Sequence, residues 1–165
     1  MASVNTSKCV EYYTQGRIIG DCCKMDYPFP IDPFNECLEI AEEKVPRKQF
    51  LSFLACTFEC YAENIGTIKN NTVLLEKAIE YIDQYPQGLH NDVRKVAWKT
   101  CAKKASQIAA ALAGHKDKCN PFALEMESCI QSLVNRNCPE TYYHHLSEIC
   151  HEARTLPHCV HKWVN

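Results

Sequence analysis

Apolar side chains recur every three or four residues along most of this chain, the spacing that puts them on one face of an α-helix. Phe34, Cys37, Leu38 and Ala41 set the period for a helix over Phe34 to Lys44, which Pro46 ends. Gln49 to Asn64 repeats it with Phe50, Phe53, Leu54, Thr57, Phe58 and Tyr61, and Gly66 supplies a C-terminal cap. Thr72 is placed to cap a third helix bearing Leu75, Ile79 and Ile82, with Pro86 and Gly88 beyond its end. Asp92 caps a fourth, long helix that passes Val93, Val96, Ala97, Trp98, Cys101, Ile108 and Leu112 before Gly114. Asn120 before Pro121 opens a fifth, with Phe122, Met126, Cys129, Ile130 and Leu133 inward and Cys138-Pro139 as its stop. A short sixth, Glu140 to Arg154, precedes a tail with Pro157, Cys159 and Trp163. No alternation longer than a few residues points to a sheet. Ahead of the helices, the prolines of Tyr27-Pro28-Phe29-Pro30 and Ile31-Asp32-Pro33 read as an extended arm. The pattern predicts one all-α domain of five to six helices over 1–165, divided into an arm (1–33), core helices (34–138) and a C-terminal extension (139–165).

Twelve cysteines in 165 residues change the picture. Their even number and the lack of CxxC-type pairs favour six disulfides over structural zinc, and an oxidising, extracellular compartment over the cytosol. Cys56 and Cys60 share a helix face, but at ~5–6 Å their Cβ atoms are too far apart to bond each other, so they must reach two different elements. Adjacent Cys22 and Cys23 staple the arm to two places in the same way, and Cys129 and Cys138 anchor the fifth helix twice. Met1 followed by Ala2, Ser3 and Val4, without a signal-length apolar run, reads as a mature chain behind an added Met. Asn5-Thr6-Ser7 and Asn70-Asn71-Thr72 are glycosylation sequons.

A formal charge of −2 offers no basic footprint for nucleic acid, and no stretch approaches the ~20 apolar residues of a membrane span. Catalytic signatures are missing too. The Cys-Cys-x-x-His run of secreted phospholipases fails after Cys22-Cys23, and HExxH fails where His151-Glu152 meets Thr155. If every cysteine is bridged, no thiolate nucleophile remains. The expectation is a protein without catalytic activity, cofactor or metal. Five of the seven histidines, His144, His145, His151, His158 and His161, lie beyond residue 143, and raise the expectation of a pH-responsive closure by the C-terminal tail.

A chain of this length buries a stable core without cross-links, so size does not explain the disulfides. A hollow interior would. An apolar cavity of about 400 Å³ costs on the order of 10 kcal/mol, and bridges at ~2–4 kcal/mol each can offset that. The fold expected is therefore a disulfide-knitted helical bundle around an apolar cavity, and the partner a small hydrophobic ligand. Candidate lining positions are Phe53, Leu54, Phe58, Leu75, Ile79, Ile82, Trp98, Ile108, Leu112, Phe122, Met126 and Leu133, all of which would also serve as plain core. Tyr61, Tyr81 and Tyr85 are candidates to orient a ligand oxygen. The same apolar faces leave a homodimer open as an assembly. The alternative is a secreted, solid-cored interaction or inhibitor protein that acts through its surface.

The run Cys37-x18-Cys56-x3-Cys60-x40-Cys101, then Cys129-x8-Cys138, resembles the six-cysteine signature of insect odorant-binding proteins. Six further cysteines, Pro139 directly after Cys138, and the segment from Cys56 to Gly66 resemble that family's Plus-C subclass. The resemblance covers about Cys22 to Cys159. It implies bridges Cys37 to Cys60, Cys56 to Cys129 and Cys101 to Cys138, with Cys9, Cys22, Cys23, Cys119, Cys150 and Cys159 forming three more in unassigned pairs. It also implies a secreted carrier that moves odorants or pheromones through aqueous fluid to chemosensory receptors.

Overall fold

The structure, a computed structural model, describes residues 9–14, 17–19, 22–85, 88–115, 117–161 and 163. It is an all-α bundle sewn by six disulfides. Two hairpins, β1 (Tyr13–Thr14) with β2 (Arg17–Ile18) and β3 (Ile68–Lys69) with β4 (Thr72–Val73), are its strands. The helices are α1 (Asp32–Lys44), α2 (Phe50–Ile65), α3 (Leu75–Gln84), α4 (Gly88–Lys103), α5 (Ala105–Ala111), α6 (Phe122–Arg136) and α7 (Glu148–Thr155). In the core, α1 lies on α2, α2 on α6, α6 on α4, and α4 on α3.

Local sequence explains most of the boundaries. Pro33 sits in the first turn of α1, where its missing N–H costs nothing, so the helix begins inside what the prolines had marked as arm. Gly66 ends α2 at φ 79°, a left-handed cap that a Cβ would strain. Asn120 Oδ1 accepts from the Phe122 N–H at 3.1 Å, so the expected cap of α6 is made. Two expected caps are not. Thr72 belongs to β4, whose turn is made by Asn70 and Asn71 at φ 49° and 61°, so α3 starts later. Asp92 lies inside α4, which begins at Gly88. The expected long fourth helix is two, broken at Lys104, where the backbone reaches ψ 0°. The sixth segment is helical only from Glu148, after a single 3-10 turn at Glu140–Tyr142.

The bridges fall into two sets. One interlocks the helices: Cys37 with Cys60, Cys56 with Cys119 and Cys101 with Cys129. The other laces the arm to the C-terminal extension and to Cys138 just before it, in nested order: Cys9 with Cys159, Cys22 with Cys150 and Cys23 with Cys138. The implied Cys37 to Cys60 bridge is present. The implied Cys56 to Cys129 and Cys101 to Cys138 bridges are corrected: Cys119, just before α6, meets Cys56, while Cys138, past its end, meets the arm. Ordered as Cys37, Cys56, Cys60, Cys101, Cys119 and Cys129, the first set joins first to third, second to fifth and fourth to sixth, the order the resemblance implies but with the last two positions moved. As the face argument requires, Cys56 and Cys60 reach different elements, and so do Cys22 and Cys23.

Backbone bonds follow the lacing. The Val10 N–H donates to Pro157 O at 2.9 Å and the Cys159 N–H to Val10 O at 2.8 Å, while the Lys24 N–H donates to Tyr142 O and the His144 N–H to Cys22 O, both at 2.8 Å. Tyr12 is fully buried between α6 and α7, donating to Ala153 O and accepting from Asn135 Nδ2. Asn70 stands exposed at its hairpin tip, and the Asn5 sequon and Pro86 lie outside the described residues.

Candidate functional site

The helices and the arm form a half-open cavity of about 780 Å³, within the range of small-molecule sites. Six parts of the chain build its wall. The arm contributes Tyr13, Cys23, Lys24, Met25, Tyr27 and Ile31, α1 adds Phe34, and α2 adds Leu54, Phe58 and Tyr61. Arg94 from α4, Glu127 and Gln131 from α6, and His144 complete it. The α2 residues are spaced four and three apart, so one helix face presents all of them. Ile31, 59% exposed, and Tyr27, 39% exposed, mark the mouth.

One side of the wall is aromatic. The Phe58 ring lies 5.4 Å from Tyr13 and 5.7 Å from Phe34, and Phe34 meets Tyr61 edge-on at 5.3 Å. These rings have settled on one another around the lumen instead of closing it. In a second group, Tyr27 and Phe29 of the arm pack with Tyr81 of α3 and Trp98 of α4.

Another part of the wall is polar. Arg94 is buried, with Nη2 donating to Met25 O at 3.3 Å and Asp26 O at 3.2 Å, so its guanidinium is pinned by the arm's own backbone beside the Tyr27 ring. Glu127 faces the lumen, and among the described residues its carboxyl makes no hydrogen bond. Burial pushes its pKa up to about 7, with the Arg94 charge pulling the other way. Burial also lowers Arg94 from its ordinary value, raises Tyr61 to about 12, and raises Tyr13 and Tyr27 well above theirs, so the cavity's phenols stay neutral. Tyr61 donates to Pro30 O at 2.6 Å.

Of the twelve apolar positions expected to line a cavity, Leu54 and Phe58 do. Phe53, Ile82, Trp98, Phe122 and Met126 are buried in solid core, and Leu75, Ile79, Ile108, Leu112 and Leu133 pack half-buried against it. Among the three tyrosines, Tyr61 lines the space, Tyr81 donates its hydroxyl to Ile65 O, and Tyr85 lies off the wall. The arm supplies most of what periodicity missed, because an extended strap has no helical spacing to find. Arg94 and Glu127 were missed because charged residues on amphipathic helices read as solvated surface. His144 alone among the five late histidines lines the cavity.

No described residue beyond Pro157 lines the cavity. Those residues are held on Val10 and Tyr13 of the arm instead. Glu125, two residues from Glu127 and so on the opposite face of α6, is 1% exposed. Its Oε1 accepts from His161 Nδ1 at 2.7 Å, the His161 N–H at 3.2 Å and Trp163 Nε1 at 3.0 Å. His161 Nε2 in turn accepts from the Tyr13 N–H at 3.3 Å, so both ring nitrogens are engaged. The anchored tail thereby holds from behind a residue whose ring forms the cavity wall.

Among the described residues no cluster of His, Cys, Asp and Glu is arranged to hold a metal, and no helix is long and apolar enough to cross a membrane. All twelve cysteines are bridged, a number typical of extracellular proteins. Comparison of the chain with protein-family models, curated proteins and solved structures gives no match in any of the three.

Proposed function

We propose that this chain is an extracellular carrier that takes up small hydrophobic molecules and moves them through aqueous fluid without altering them. The observation that carries the reading is a cavity of about 780 Å³, walled by Tyr13, Phe34, Leu54 and Phe58, inside a cross-linked shell. An unfilled apolar space is costly, and a protein that keeps one at the expense of six bridges has a use for it. The first-to-third, second-to-fifth, fourth-to-sixth order of the helix bridges supports assignment to the odorant-binding kind, with odorants or pheromones as cargo and chemosensory receptors as destination. The moved cysteine positions place Pro139 outside that interlocked set, so the Plus-C likeness is supported by the cysteine number and the Cys56 to Gly66 segment. A polarity-sensitive fluorescent naphthylamine tests the reading. It should brighten and blue-shift on binding and be displaced by micromolar apolar volatiles. A chain that neither binds the probe nor any of a volatile, lipid and sterol panel acts through its surface instead.

A further inference from the structure

Glu127 is an unusual group to find in an apolar ligand space. Its carboxyl accepts hydrogen bonds and has none from the protein among the described residues, while Arg94 beside it donates and is held in place by Met25 O and Asp26 O. Both bonds leave from Nη2, and a guanidinium has five N–H donors. The cavity thus offers one strong acceptor and one strong donor close to each other in a wall otherwise rich in aromatic rings. Both groups face the cavity with hydrogen-bonding capacity to spare, and a guest that engages both gains charge-assisted bonds there.

Resting on the carrier reading, we infer that the preferred ligand is an apolar alcohol or phenol, whose hydroxyl sits between Glu127 and Arg94, donating to the carboxylate and accepting from the guanidinium, while its hydrocarbon lies along Phe34, Leu54 and Phe58. The charges facing the lumen argue against the other heads. An ammonium could pair with Glu127 but would meet Arg94 and Lys24, both cationic. A carboxylate could pair with Arg94 but would meet Glu127, which Arg94 helps to ionise. A bare alkane leaves both groups unmatched. Only a head that both donates and accepts fits the pair. Tyr61 is a poor substitute partner because its proton is committed to Pro30 O.

Displacement of the naphthylamine probe by decane, decanol, decylamine and decanoate at about pH 8 tests this, because the four share one chain length and differ only in the head. Decanol is expected to displace at a concentration lower by roughly ten-fold or more than any of the others, the scale of one hydrogen bond to a charged group. In Glu127→Leu and Glu127→Gln, each confirmed folded by circular dichroism and by the absence of free thiols, the ratio of decanol to decane affinity should fall, furthest in Glu127→Leu. Equal displacement by all four, a lead for decylamine or decanoate, or an unchanged ratio in the variants overturns the inference and leaves the carrier reading standing. Failure of the probe to bind removes the carrier reading itself, and the head-group inference with it.

Discussion

Replacing Glu127 by Gln keeps the side chain's size and removes its titration, which makes it a direct measure of what the cavity costs. Burial raises this carboxyl from 4.5 to about 7. Below pH 4.5 the group is protonated in folded and unfolded chains alike and contributes no pH dependence. Between 4.5 and 7 the unfolded chain releases the proton while the folded chain keeps it, so stability falls as pH rises. Above 7 the folded chain carries the full penalty. At about 1.36 kcal/mol per pKa unit, the shift corresponds to a penalty of about 3 kcal/mol. Guanidinium unfolding of the disulfide-intact proteins at pH 4 and pH 8, followed by circular dichroism, isolates this because all other titrations cancel in the difference. Glu127→Gln should gain up to about 3 kcal/mol on wild type between the two pH values. A difference that does not change with pH, or a wild type that gains on the variant as pH rises, would refute the reasoning. It would mean that Arg94 holds Glu127 ionised as an ordinary ion pair.

Other consequences are as direct. Gly66→Ala should cost about 1 kcal/mol in unfolding free energy, because φ 79° is strained for any Cβ; the added methyl would meet Lys77 Cγ at an ordinary 3.6 Å, so a cost near zero would show that the cap relaxes. Glu125→Ala strands the Nδ1 and backbone N–H of His161 together with Trp163 Nε1, and should cost about 3 kcal/mol or more with faster amide exchange at Tyr13 and His161; unchanged exchange there would show that the Cys9 to Cys159 bridge alone fixes the tail. Proteolysis without reduction should yield peptides joining Cys56 to Cys119 and Cys101 to Cys129, and recovery of Cys56 with Cys129 would refute the topology.

How much of this was legible in the sequence depends on whether a residue obeys a period. Leu54, Phe58 and Tyr61 stand out because a helix face repeats, and Gly66 and Asn120 because caps have fixed chemistry. The face argument also showed that Cys56 and Cys60 could not bond each other, but their distant partners depend on how helices meet, which no local spacing records. Met126 and Trp98 lie on apolar faces as expected and point at other helices, since a face can pack against a neighbour or a lumen with the same pattern. Lys104 breaks a helix that no proline or glycine marks. Tyr13, Met25 and Ile31 form wall from a segment without periodicity, so only the folded chain reveals that its covalent strap is also its binding surface.

Nesting gives the arm's bridges unequal weight, depending on when each is made. Cys9 and Cys159 stand 150 residues apart in sequence, but once Cys22 and Cys150 are joined, the outer pair adds a ring of only thirteen residues on the arm and nine on the tail. Because ring entropy grows with the logarithm of its length, the outermost sulfur bond removes about 2 kcal/mol less disorder when made last than when made first. Oxidation that starts at Cys23 and Cys138 therefore meets its largest entropic hurdle first, and both later bridges close far shorter rings. A reducing agent that reaches the outer pair first frees little chain, and the guest's container outlasts its loosest stitch.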